Sequence, residues 1–66
     1  MQLQFNDQHI ETLASNLHEL LEENGLLSKT GIAVAINDRV IQRSHWADKQ
    51  LNEQDVVLVI TAAAGG

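Results

Sequence analysis

Sixty-six residues with no cysteine, four basic and nine acidic side chains and a formal charge of −5 make one small domain. Disulfides, thiolate metal sites, iron–sulfur clusters and a cysteine nucleophile are excluded. The acid excess argues against a nucleic-acid binder, which needs clustered Lys and Arg, and no apolar run approaches the roughly 20 residues that span a membrane.

The opening stretch alternates. Met1, Leu3 and Phe5 share one face and Gln2 and Gln4 the other, the period of a half-buried strand. Asn6-Asp7 is a turn pair, and His9 to Leu13 is expected to return as the second strand of a hairpin. Asn16 then begins a helix. Its side chain is placed to accept from the Glu19 backbone, with Glu19 reaching back, and Ser15 is a competing cap. Leu17, Leu20 and Leu21 form one apolar stripe, and Gly25 is expected to stop the helix in a left-handed conformation, with Leu26 folding back on Leu21. Glu22 and Glu23 sit where the helix dipole disfavours acids; they read as a solvated face or as an acidic docking face.

The period returns to two at Ile32, Val34 and Ile36. Asn37-Asp38 marks a turn and Arg39 to Arg43 the next strand, before a polar connection from Ser44 to Gln50 that carries Trp46. A lone Trp in a small domain plugs the core or its rim, its N–H finding an acceptor. The last strand, Val56 to Ile60, is five apolar residues in a row and reads as buried in the middle of a sheet. A central last strand needs an early strand beside it, with the helix in the crossover. The order is therefore an α+β domain over residues 1–61, a mixed five-stranded sheet packed on one main helix, followed by a flexible tail at 62–66.

The closing stretch, Thr61-Ala62-Ala63-Ala64-Gly65-Gly66, has no charge and no large side chain. One reading is a frayed end. The other is chemical. A C-terminal carboxylate has a pKa near 3.5. Two glycines before it let a narrow chain enter a closed active site and present that carboxylate to the α-phosphate of ATP. The product, an acyl-adenylate, is open to attack by a thiolate or persulfide. No catalytic arrangement competes with it: Ser15, Ser28 and Ser44 read as caps and turn residues, and His9, His18 and His45 lack the close spacing of a zinc site. No catalytic residue, no metal site and no bound cofactor is assigned.

The residues resemble the ThiS family of ubiquitin-like sulfur carriers over essentially the whole chain. The resemblance rests on Gln2-Leu3-Gln4-Phe5-Asn6, His18-Glu19-Leu20-Leu21, Val34-Ala35-Ile36-Asn37 through Val40-Ile41, Arg43-Ser44-His45-Trp46, Asp55 and the terminal Gly65-Gly66. Where the family often has proline, this chain has Gln42. Where it often has Asp-Gly-Asp, this chain has Glu53-Gln54-Asp55, and its last strand lacks the usual acidic residue. The resemblance implies the β-grasp fold. It also implies a Gly66 carboxylate adenylated by an activating enzyme of the ubiquitin-activating type, at the expense of ATP consumed by that partner. Conversion to a thiocarboxylate with persulfide sulfur from a cysteine desulfurase would follow, then delivery to thiazole synthase for thiamine. The resemblance implies that Ala63, Ala64 and Gly65 form the partner-binding tail. A molybdopterin-type or other pathway carrier and a ubiquitin-like protein modifier are the alternatives.

Strand phase suggests a docking face. With Val40 and Gln42 on one side of their strand, Arg39, Ile41 and Arg43 fall on the other, and are assigned with Gln2, Gln4, Ala33 and Ala35 to the outer sheet surface. That surface reads either as the site where the activating enzyme docks or as an ordinary half-solvated sheet. No signal peptide is visible, and a cytoplasmic location is expected.

Overall fold

The computed structural model describes residues 1–61. Strands β1 (Gln2–Phe5) and β2 (Gln8–Glu11) form a hairpin, followed by helix α1 (Leu17–Glu23). A second hairpin, β3 (Ile32–Ile36) and β4 (Arg39–Ile41), leads through a 3-10 helix at Arg43–Asp48 to β5 (Val56–Thr61). The sheet order is β2-β1-β5-β3-β4, with β5 in the centre, parallel to β1 and antiparallel to β3. This is the mixed β-grasp sheet with one α-helix that the element order predicts. The 62–66 tail lies outside the described residues.

The two hairpins are built alike. Phe5 pairs with Gln8 and Ile36 with Arg39, so each loop is two residues long. Asn6 and Asp7 have φ of 48° and 69°, and Asn37 and Asp38 have 51° and 71°. Left-handed backbone at both central residues is the type I′ turn that matches strand twist, and Asn and Asp tolerate it better than other side chains.

Helix α1 carries both expected ends. Asn16 Oδ1 accepts from Glu19 N at 2.8 Å. The Glu19 carboxylate reaches one residue further back than a capping box requires, accepting from Ser15 N at 2.8 Å and Ser15 Oγ at 3.0 Å. Those bonds, the backbone one first, hold the Glu19 carboxyl below its ordinary value. Leu17 N donates to Lys49 O at 2.9 Å, which satisfies one of the helix's orphan donors. At the other end Gly25 has φ 70°, Gly25 N donates to Glu22 O, and Leu26 N donates to Leu21 O: the paired bonds of a Schellman motif. Glu23, unfavourable so near the C-terminus of the helix, is tied down. Both its carboxylate oxygens accept from the buried Thr12 hydroxyl, at 2.7 and 2.9 Å.

Leu17, Leu20 and Leu21 meet Leu3, Val34, Ile36 and Val57 of the sheet, with Ala14, Trp46 and Leu51 closing the core. Trp46 is buried with its Nε1 donating to Ile41 O at 2.9 Å. The connection that carries it is helical rather than irregular, and Arg43 opens that 3-10 helix instead of ending β4. The return strand of the first hairpin also ends earlier than expected, at Glu11. Thr12 turns inward to Glu23 and Leu13 points to solvent.

Candidate functional site at the end of the central strand

Strand β5 ends at Thr61, five residues before the C-terminus in sequence, so whatever holds β5 sets where the tail begins. Its start is fixed by a tight turn. Asp55, buried, accepts from Asn52 N at 2.8 Å and from Asn37 Nδ2 at 2.9 Å, and Asn37 Oδ1 accepts from Val56 N at 2.9 Å. The preceding Gln54 has φ 70°. Further along, Asn6 N donates to Val57 O at 3.0 Å and Asn6 Oδ1 accepts from Val59 N at 2.8 Å. The Asn of each hairpin turn thus grips the same central strand.

The outer face of the sheet differs from the expected one. In β4, Ile41 pairs with Val34 and Val40 with Ala35. Cross-strand partners share a face. Val34 is in the core, so Ile41 faces the helix and packs on that core, while Val40 faces out. Arg39 is exposed opposite the inward Ile36. Arg43 lies in the 3-10 helix, its guanidinium 4.4 Å from the centre of the Trp46 ring and Nη2 bonded to Lys29 O at 3.0 Å. Arg39, Ile41 and Arg43 therefore do not share the outer surface: the two-residue turn sets the register and reverses the assumed phase. The expected Gln2, Gln4, Ala33 and Ala35 do lie there, opposite their buried neighbours Leu3 and Val34.

Strand β5 supplies what sequence phase missed. Its five-residue apolar run is central but not buried on both sides. Val57 and Val59 pack inward, while Val56, Leu58 and Ile60 are 45%, 43% and 52% exposed, beside Val40 at 72%. A single α-helix covers only one face of the sheet. The register sets Leu58 beside Ala35 and Ile60 beside Ala33, and Ala35 in turn beside Val40. Large apolar side chains therefore stand over a floor of small ones. On the other half of this face the register places Gln4 beside His9 and Gln2 beside Glu11, making it polar. One α-helix among the described residues means one covered face.

Among the described residues there is no cavity and no cluster of three or more His, Asp or Glu side chains able to hold a metal. No helix is long and apolar enough to cross a membrane. What the fold offers is an apolar sheet face next to the root of the tail.

The ThiS family model matches residues 3–66. The chain is 37% identical over the full length of both sequences to the sulfur carrier protein ThiS of Escherichia coli K12. Its fold superposes on the crystal structure of the thiamine biosynthesis protein ThiS from Geobacter metallireducens with a TM-score of 0.85, covering all of both chains at 22% identity. The matches span the strands, the helix and the terminal glycines alike, and on them this chain belongs to the ThiS family, whose members are small sulfur carriers and not catalysts.

Proposed function

We propose that this protein carries sulfur on its own C-terminus for formation of the thiazole of thiamine. The observation that supports it most is the family match running through Gly66 on a chain whose central strand leads into the diglycine. The Gly66 carboxylate oxygen attacks the α-phosphorus of ATP and pyrophosphate leaves, giving the acyl-adenylate. A persulfide derived from a cysteine desulfurase attacks the acyl carbon with its terminal sulfur, and AMP leaves. A second thiol then reduces the sulfur–sulfur bond, freeing the thiocarboxylate and leaving a disulfide on the partner. The thiocarboxylate is handed to thiazole synthase. ATP and the catalytic groups belong to the activating enzyme, so this chain supplies a scaffold and a nucleophilic carboxylate. ATP-dependent activation fits a cytoplasmic setting.

The activating enzyme docks, in this reading, on the exposed apolar face of Val40, Val56, Leu58 and Ile60. Ala63, Ala64 and Gly65 then thread toward its nucleotide. With the activating enzyme and ATP, pyrophosphate release should require Gly65-Gly66 and should weaken in Leu58→Asp, whose melting should stay near that of the parent. Equal release from a chain lacking Gly65-Gly66 would overturn the reading.

A further inference from the structure

The hairpin turn at Asn6 does more than reverse the chain. Strand β1 ends at Phe5, and the backbone leaves the sheet through Asn6 and Asp7 at positive φ. At that point the parallel ladder with β5 would stop, yet Asn6 extends it. Its N–H donates to Val57 O and its carboxamide oxygen accepts from Val59 N at 2.8 Å, so one residue fills two positions of the ladder. The alternation of the antiparallel pairing shows what lies beyond. Val56, Leu58 and Ile60 turn their amide groups toward β3, as the Asn37 N to Val56 O bond fixes, and Val57, Val59 and Thr61 turn theirs toward β1. Val59 is therefore the last residue of β5 whose N–H is held from the β1 side, and Ile60 and Thr61 rest on Ala33 and Ile32 of β3.

We propose that Asn6 is a positioning residue for the C-terminal tail, acting through Val59 to fix the point from which residues 62–66 depart. The proposal rests on the carrier reading above. Five residues span at most about 17 Å, so the reach of the Gly66 carboxylate is set by where Thr61 is held. Releasing Val59 leaves Ile60 and Thr61 held from the β3 side alone, so the end of β5 frays more often and the average tether lengthens. The concentration of the terminus at a docked active site then falls roughly as the −3/2 power of its length.

Asn37 is the internal control. It has the same turn geometry and the same kind of bond, Oδ1 to Val56 N at 2.9 Å, but it grips the other end of β5. Gly in either position keeps the positive φ and removes the carboxamide. In Asn6→Gly, amide exchange at Val59 and at Ile60, which pairs with Ala33, should quicken about fivefold or more, the effect of losing one net hydrogen bond. KM for this protein in adenylation should rise about twofold or more with kcat unchanged. Asn37→Gly should lower Tm yet leave exchange at Ile60 and KM at the parent values, and Asn6→Asp, which keeps an acceptor, should restore both. Parental exchange and KM in Asn6→Gly would overturn the proposal, as would an equal rise in KM in Asn37→Gly. An unaltered parent chain that is not adenylated at all would instead remove the carrier reading on which the proposal stands.

Discussion

Gln54 and Gly25 form a reciprocal pair. Both sit at φ 70°. The left-handed region costs an L side chain roughly 1–2 kcal/mol, and Gln lacks the local hydrogen bonding that lets Asn and Asp visit it. Gln54 bears that cost so that its N–H can donate to Gln2 O at 2.7 Å and the chain can turn into Asp55, and its side chain is exposed. Gly at this position removes the strain, against a loss of roughly 0.5–1 kcal/mol from the greater freedom of the unfolded chain. The net gain for Gln54→Gly is about 0.5–1 kcal/mol, a rise in Tm of about 4–7 °C for a domain this size. Gly25→Ala runs the comparison backward. A Cβ there would meet nothing within 4 Å, so its effect isolates the backbone, and a loss of about 1 kcal/mol is expected. Thermal and urea unfolding of both variants, with Gln54→Ala as a strained control, measures each. A Gln54→Gly chain no more stable than the parent, or a Gly25→Ala chain as stable as the parent, would refute the assignment of strain to these two residues.

Three further outcomes follow from the contacts. Ile41→Asp should cost about 2–4 kcal/mol because it places a carboxylate against the core, whereas Val40→Asp should stay within about 0.5 kcal/mol of the parent; urea melts distinguish them. Thr12→Val should cost about 1–3 kcal/mol, since it strips Glu23 of its donor and leaves the Ala14 N–H, bonded to Thr12 Oγ1 at 3.0 Å, without a partner; Thr12→Ser should recover most of this in the same melts. The Glu19 carboxyl is depressed by its bonds to Ser15. Its stabilising contribution is therefore present above the ordinary value of 4.5 and is lost as pH falls through the lower folded value. Ser15→Ala removes the hydroxyl bond and keeps the larger backbone one, so in an NMR titration Glu19 should move only part of the way back up toward 4.5.

The parts of the fold legible in the sequence are those where one residue type answers one local demand. Asn16 and Gly25 bound the helix because a cap needs a short acceptor and a Schellman turn needs positive φ. The stripe of Leu17, Leu20 and Leu21 predicts the buried face, and Trp46 finds its acceptor. Phase in the short strand was not legible from hydropathy. Val40 and Ile41 are adjacent and both apolar, so β4 has no alternation to read. Counting back from the turn resolves it: a two-residue loop at Asn37-Asp38 pairs Ile36 with Arg39 and so Ile41 with the inward Val34. The long-range bonds, Asn6 to Val59 and Thr12 to Glu23, join residues 53 and 11 positions apart, and no local pattern announces them. The terminal diglycine stands out in the sequence as an unusual end, whereas the apolar face of β5 depends on the sheet having a helix on one side only.

The intact mass of the protein tests the central claim most directly. Incubated with the activating enzyme, ATP, a cysteine desulfurase, cysteine and a reducing thiol, the chain should gain the mass difference of one oxygen replaced by sulfur, and fragmentation should place the change on Gly66. A competent activating enzyme that leaves the mass unchanged, or the same gain in a chain lacking Gly65-Gly66, would contradict the account.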